Sequence, residues 1–381
     1  MPILNNIPFN KPYMTGRELH LIAQAHFNGR LSGDGLFTSK CHDWLESYTG
    51  AQAALLTSSC TAALEMAALL VDLQQGDEII MPSFTFVSTA NAFATKGAVP
   101  VFVDIRSDTL NLDETLIEGA ITARTKAIVP VHYAGVGCEM DEIKALAATH
   151  GLMVIEDAAQ GVCGWYKDGA LGTIGDLGTY SFHETKNVIA GEGGALLINR
   201  GDLIRPAEII REKGTDRSQF FRGEVDKYTW QSLGSSYLPG ELMAAFLFAQ
   251  LEAAEEITAK RLALWNQYHE LLGSLELEGF LRRPVVPEHC KHNGHMYYIL
   301  LAEQFERDEV IDSLRAVGIH SVFHYVPLHD SPAGLRYARV GSELPNTETL
   351  PARLIRLPMW VGLESSDVQR VVSELAKILR S

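Results

Sequence analysis

Leu152-Met153-Val154-Ile155-Glu156-Asp157-Ala158-Ala159-Gln160 runs from consecutive apolar residues straight into two carboxylates and small residues. A short run that is apolar at successive positions is a strand buried on both faces, as in a parallel sheet covered by helices. Similar runs recur on either side, at 78–81, 99–103, 127–131, 179–182 and 195–198, with the first run itself placed at 152–155. Stretches with helical periodicity lie between several of them, at 61–73, 113–121 and 140–149. The alternation predicts an α/β large domain whose mainly parallel mixed sheet is covered by helices. In such sheets ligands sit beyond the carboxyl ends of the strands, which puts Asp157 at the edge where a site belongs.

Farther along, residues 204–230 concentrate Arg205, Arg211, Lys213, Arg217, Arg222 and Lys227, interleaved with Phe220, Phe221, Tyr228 and Trp230. A helical pattern then runs unbroken over 241–272, long enough to connect two domains. Beyond it, a strand at 297–301 and helices at 307–317 and 366–379 predict a smaller α+β unit. The division expected is 1–250 for the large domain and 251–381 for the small C-terminal one. A chain of 381 residues exceeds what one core usually supports, which agrees with two.

Composition narrows the class. The chain is 46% apolar and 21% charged, ordinary for a folded enzyme, and no apolar run approaches the ~18 residues that cross a bilayer. Its first ten residues lack the basic flank and apolar stretch of a secretory leader. A formal charge of −15 opposes general nucleic-acid binding, although local donors can still hold a small anion. Five cysteines without a C-x-x-C pair give neither a disulfide framework nor a zinc knuckle, and they point to a reducing, cytoplasmic setting. His292 and His295, and the group His320, His324 and His329, have no acidic partner at a ligand-like spacing, so no metal is expected.

Three segments carry chemistry. Asp157 alone could be a cap or a solvated loop acid. Tyr180-Ser181-Phe182-His183-Glu184-Thr185-Lys186-Asn187 leads from a strand through a turn bearing one lysine into Gly191-Glu192-Gly193-Gly194. Taken singly, that lysine could be a surface charge. Leu56-Thr57-Ser58-Ser59-Cys60-Thr61-Ala62 puts small hydroxyl residues at the start of an apolar helix, which is either a plain cap or an anion site. The combination is what pyridoxal phosphate requires. Its aldehyde condenses with an amine, its ring nitrogen needs a carboxylate, its phosphate needs fixed donors, and its ring face needs an apolar lid. Pro82-Ser83-Phe84-Thr85-Phe86-Val87-Ser88-Thr89, after a strand, offers the lid.

With these residues the sequence resembles the DegT/StrS-type family of nucleotide-sugar aminotransferases, fold-type I enzymes dependent on pyridoxal 5'-phosphate. Ser181-Phe182-His183-Glu184-Thr185-Lys186 is similar to the family's S-F-x-x-x-K signature, which implies that Lys186 is the condensing lysine and Ser181 a phosphate ligand. Glu156-Asp157-Ala158-Ala159-Gln160 is similar to its E-D-A-A-Q/H segment, implying that Asp157 faces the ring nitrogen and Gln160 lies near the ring hydroxyl. By the same resemblance Phe86 stacks on the ring, and Cys60 and Thr61 offer backbone N–H groups to the phosphate. His324-Tyr325-Val326-Pro327-Leu328-His329 resembles the small domain's H-Y-x-P-L-H motif, making Tyr325 and His329 substrate-binding candidates.

Segments 131–141, 212–223 and 234–238 resemble the branch that aminates C4 of a dTDP-linked 4-keto-6-deoxy sugar with L-glutamate as donor. The product implied is dTDP-4-amino-4,6-dideoxy-D-galactose from dTDP-4-dehydro-6-deoxy-D-glucose. The gluco epimer, amination at C3 and a pyridoxal-phosphate-binding regulator without turnover are the alternatives. Relatives that remove a sugar hydroxyl carry histidine where this chain has Lys186. Many members carry Tyr-Asn where this chain has Ser235-Ser236, so Ser236 is the candidate for reaching a neighbouring subunit's phosphate; Pro239-Gly240 is a second departure. Arg217 and Arg222, with Lys227, are candidates for the sugar nucleotide. The resemblance also implies a homodimer with shared active sites, the segment 220–236 crossing between subunits.

Overall fold

The computed structural model describes residues 6–381; Met1–Asn5, the first half of the amino-terminal stretch read above, lie outside the described residues. Its strands are β1 (Ala53–Thr57), β2 (Glu78–Pro82), β3 (Val99–Val103), β4 (Thr125–Ile128), β5 (Met153–Asp157), β6 (Trp165–Tyr166), β7 (Gly169–Ala170), β8 (Leu177–Ser181) and β9 (Gly194–Ile198). These are followed by β10 (Leu281–Arg282), β11 (Cys290–Lys291), β12 (Tyr297–Leu301), β13 (Arg339–Val340) and β14 (Leu354–Leu357). Eight of them make the main sheet, in the order β1-β9-β8-β5-β4-β2-β3-β13. Every neighbouring pair is parallel except those of β9, which runs antiparallel to both β1 and β8. The expected mainly parallel mixed sheet is therefore present, and β5 lies inside it between β4 and β8.

The consecutive apolar residues have two destinations. On β2, Ile80 joins one core while Ile79 and Met81 join the other; on β5, Val154 and Ile155 divide the same way. Helices Leu36–Thr49, Met140–His150 and Glu241–Glu252 contribute to the first core, and Cys60–Leu70, Val87–Ala94 and Ile204–Arg211 to the second. Both faces of the sheet are covered by apolar cores, so period-two alternation is missing from these strands.

The helix expected over 113–121 is only a 3-10 turn, Glu114–Leu116, and a single helical turn, Ile117–Ala120, and two further expectations differ from the structure. The helical pattern over 241–272 is two helices, Glu241–Glu252 and Ala254–Leu271, parted at Ala253 with φ −102° and ψ 6°. The first packs on helices Glu18–Phe27 and Leu36–Thr49, the second on the C-terminal helix Ser365–Arg380. One straight rod could not bury its apolar residues in both places. The second difference is β1, which pairs with β9 from Ala53↔Ile198 to Thr57↔Gly194, in a stretch read only for its following helix.

A smaller antiparallel sheet, β10-β12-β14, carries the C-terminal core. Helix Ser365–Arg380 buries Val368, Val371, Val372, Leu375 and Leu379 in it, a helical stripe, and Ile7 packs there too. Between the two sheets lies an aromatic cluster of Phe84, Tyr133 and Tyr298, with Tyr325 packed against it. No helix among the described residues is long and apolar enough to cross a membrane.

Candidate active site

Asp157 is the last residue of β5 and is 5% exposed. Its backbone is fixed from the neighbouring strand end, where its N–H donates to the Pro130 carbonyl (2.9 Å) and its carbonyl accepts from His132 N–H (3.1 Å). The Thr89 hydroxyl donates to Oδ2 at 2.7 Å, and Ala159 N–H to Oδ1 at 3.1 Å. Thr85 Oγ1 lies 2.8 Å from Thr89 Oγ1. Because Thr89 spends its proton on the acid, Thr85 must be the donor in that pair. Glu156 points to the other face and is wholly buried, where it receives Gly172, Ile174 and Gly175 N–H and sits 2.8 Å from His132 Nε2. Cys138 N–H donates to His132 Nδ1, so Nε2 carries the ring proton toward Glu156. Of the two adjacent carboxylates, only Asp157 is left for a ligand.

Helix Cys60–Leu70 begins beside that acid. Ser59 caps it, accepting Ala62 N–H at 3.1 Å, which leaves Cys60 and Thr61 N–H without an intrahelical acceptor. The helix can start here because β9 begins with Gly194: a Cβ at that position would stand 2.4 Å from Cys60 N. Thr61 Oγ1 and Ser88 Oγ are 2.8 Å apart on the cavity wall. Burial pushes the Cys60 thiol up to about 12, the charge of Asp157 adding to the effect.

Between β8 and β9 the chain turns through residues 182–193, closed by Phe182 N–H to Gly193 O and Glu184 N–H to Gly191 O. Lys186 is held in this turn by its own N–H to His183 O. Its side-chain amine lines the cavity with no hydrogen-bond acceptor among the described residues. Desolvation lowers its pKa from the ordinary 10.5; Cys60 and Asp157 oppose that shift, and Arg356 adds to it. The shift is in the direction of the neutral amine, the form a nucleophile or base requires.

The opposite wall comes from the C-terminal sheet and its loops, with Phe9, His295, His324, Tyr325 and Arg356. His324 stacks on Tyr325 with ring centroids 3.6 Å apart, and its Nδ1 is 3.3 Å from Tyr133 OH. Burial drives the His324 pKa far below the imidazole range, with the positive charges of Arg356 and Lys186 adding to it. His295 is likewise held neutral, chiefly by desolvation. Asn187 donates to Asn293 O through Nδ2, so its Oδ1 faces His295 Nδ1 at 3.0 Å and leaves His295 Nε2 as an acceptor. Gln160 donates to Tyr325 OH at 3.0 Å while accepting Ala134 N–H, tying the two walls together.

One cavity of about 610 Å³ thus collects Cys60, Thr61, Phe86, Asp157, Gln160, Ser181, Lys186 and Tyr325 from the residues singled out in the sequence. Phe86 is 57% exposed, 6.3 Å from the Tyr325 ring. Four others lie outside this cavity. His329 is pinned by Nδ1 to Ser83 Oγ at 2.9 Å. Arg217 pairs with Glu212, and Arg222 with Glu208 and Glu224. Ser236 is exposed, in a β-bridge with Glu212. The structure adds Phe9, Ser88, Thr89, His295 and Arg356. Thr89 had a legible signal, being one helical turn after Phe86; Arg356 had none, since an arginine in a short apolar strand reads as an edge residue.

The residues fit pyridoxal phosphate, with an unpartnered, half-buried amine, a buried carboxylate held by two donors, and free N–H groups at a helix start beside Ser181. Sheet, cavity and donor set define a fold-type I pyridoxal-phosphate enzyme. The chain belongs to the DegT/DnrJ/EryC1/StrS aminotransferase family, whose pattern matches residues 12–376. It is 34% identical over 384 residues to GDP-perosamine synthase of Caulobacter vibrioides, covering 100% of both chains. Spore coat polysaccharide biosynthesis protein SpsC of Bacillus subtilis is 31% identical over 382 residues, covering 98% of this chain and 97% of its own. DesI, solved in the presence of its TDP-sugar product, superposes with a TM-score of 0.88 at 28% identity, over 99% of this chain and 94% of its own. The protein is a pyridoxal-phosphate-dependent sugar aminotransferase.

Proposed function

We propose that this enzyme moves the amino group of L-glutamate to C4 of a nucleotide-linked 4-keto-6-deoxy sugar. The reading commits to dTDP-4-dehydro-6-deoxy-D-glucose as acceptor and dTDP-4-amino-4,6-dideoxy-D-galactose as product. The observation that carries the aminotransfer chemistry is the desolvated Lys186 amine sharing a cavity with Asp157. The choice of sugar rests on the likeness of segments 131–141, 212–223 and 234–238, and DesI's TDP-sugar product favours the same nucleotide. GDP-perosamine synthase points to guanosine instead and supplies the second reading.

Bound pyridoxal phosphate supplies an electron sink for the carbon that loses its proton, and carries the amine from one substrate to the next. The chain does the rest. Neutral Lys186 takes a proton from the α-carbon of the amino acid and later delivers one to C4 of the sugar. Asp157 holds a proton on the ring nitrogen, and Thr89 fixes the carboxylate that does so. Cys60, Thr61 and Ser181 anchor the phosphate, Phe86 covers the ring, and Gln160 lies by the ring hydroxyl.

Arg217 and Arg222 serve the nucleotide in an assembled homodimer, and Ser236 reaches the partner's phosphate. Exposed Phe221, Tyr228, Trp230 and Leu233 on the same segment favour a covered surface there. Tyr325 and His329 remain the sugar-side candidates. The enzyme acts in the cytoplasm, in the synthesis of a surface polysaccharide, and five free cysteines agree with a reducing setting.

The test is glutamate-dependent amination of dTDP- and GDP-linked keto-sugars, with product NMR to report carbon and configuration. Lys186→Arg is expected to abolish turnover and the yellow absorbance. Arg222→Ala is expected to raise KM for the nucleotide sugar, and an unchanged KM removes that residue from the site.

A further inference from the structure

His295 stands just before β12 and is 4% exposed. Its N–H donates to Asn293 Oδ1 at 3.0 Å, and the buried Arg261 guanidinium donates to its carbonyl and to that of Gly294. Asn293 in turn donates through Nδ2 to the carbonyls of Gln160 and Val162, at 2.7 and 2.8 Å. The imidazole is thereby pinned to the segment that follows Asp157.

Asn187, the residue after Lys186, settles which ring nitrogen carries the proton. A backbone carbonyl only accepts, so Asn187 turns Nδ2 to Asn293 O at 2.9 Å and Oδ1 to His295 Nδ1 at 3.0 Å. Oδ1 has no proton to give, so Nδ1 holds the ring's. Desolvation keeps the imidazole neutral, and the charges of Lys186, Arg261 and Arg356 add to the effect. Nε2 is left with a lone pair in a ring that lines the cavity, and nothing among the described residues donates to it.

A fixed, buried acceptor is costly until a donor completes it. L-glutamate brings two carboxylates, which only accept at neutral pH, and an amine that is spent on the cofactor. A keto-sugar ring brings hydroxyls, each with a proton to give. Lys186 has to reach C4 of that sugar, so the hydroxyl on the adjoining carbon comes to the same part of the cavity. The charge of Lys186 is felt at His295, and Asn187 ties the imidazole to the turn that holds the amine.

We propose that His295 Nε2 accepts a hydrogen bond from the C3 hydroxyl of the sugar and so selects acceptors that carry a hydroxyl beside the reacting carbonyl. The proposal rests on the C4 reading and deepens it.

The experiment crosses enzyme with ligand. Wild type, His295→Asn and His295→Gln, all loaded with cofactor, meet the keto-sugar and its 3-deoxy analogue, each on dTDP and on GDP. Calorimetry reads binding to the enzyme before amination, when it has no amine to transfer. Rapid-mixing absorbance reads the sugar half-reaction after amination, and separately the reaction with glutamate. The wild type should prefer the hydroxylated sugar about 10- to 100-fold in both binding and rate, because the analogue leaves a buried acceptor unpaired. Asparagine keeps an amide where Nδ1 stood and leaves the place of Nε2 empty, so the preference should fall below about threefold. Glutamine, whose Oε1 reaches toward that place, should restore part of it, and glutamate should react within about threefold of wild type in both variants. A wild type indifferent to the C3 hydroxyl, or a His295→Asn that keeps the full preference, overturns the proposal. So does an equal loss of both half-reactions in His295→Asn, which marks Nε2 as a partner of Lys186. A wild type that aminates neither nucleotide's keto-sugar sinks the C4 reading itself, and this contact with it.

Discussion

Gly194→Ala tests the anion cradle with a single methyl group. The new Cβ would stand 2.4 Å from Cys60 N and Ser59 C and 2.6 Å from Ser59 O, about 1 Å short of ordinary contact. All three atoms are backbone, so relief comes only by pushing the first turn of helix Cys60–Leu70 away from β9. Overpacking of this size costs about 1–3 kcal/mol of stability. The Cys60 and Thr61 N–H groups retreat with the turn. Losing one charge-assisted hydrogen bond to a phosphate costs about 1.5–3 kcal/mol, or about 10- to 100-fold in Kd. Titrating the apoprotein with pyridoxal phosphate, followed by the absorbance of the condensed lysine, measures this directly. Pyridoxal, which has no phosphate, is the control and should lose less than about threefold. An equal loss for both ligands, or no loss for either, refutes the assignment of this helix start to the phosphate.

Two further outcomes follow from the hydrogen bonds. Thr89→Val keeps the shape but removes the donor to Asp157 Oδ2; kcat should fall about tenfold with KM for both substrates unchanged, since a bond to an ionised group is worth about 1.5–3 kcal/mol. His42 accepts Leu56 N–H at Nε2, and burial holds its pKa down to about 3. For a histidine depressed in the fold, stability is full above the unfolded value of 6.5 and is lost as pH falls below it, because the unfolded chain gains a proton first. That contributes about 2 kcal/mol of destabilisation between pH 7 and pH 5, which His42→Gln should remove from urea-unfolding curves.

Much of this architecture was legible because the strands are buried twice over. Ile79, Ile80 and Met81 go to opposite cores, so the run had to be apolar throughout, and it could be read without a partner in view. Lys186 and Asp157 were legible for a related reason, standing where a buried strand ends in charge. The break at Ala253 was hidden, because alanine suits either helix and only the diverging packing partners demand a bend. Arg356 and His295 were hidden as well. Each belongs to the wall built on the C-terminal sheet and its loops, and gains its meaning only when that wall faces Lys186 across a gap of more than a hundred residues in sequence.

The ownership of the cavity is divided by segment. Among the described residues, the cavity wall from Ser59 to Gly193 is contributed by one contiguous stretch of chain, whereas Phe9, His295, His324, Tyr325 and Arg356 are lent by its two extremities. Selection can therefore reshape the wall that faces Lys186 by editing the ends, leaving the stretch that carries Asp157 and Lys186 untouched. Grafting the tails of one such enzyme onto the middle of another is the laboratory version of the same experiment.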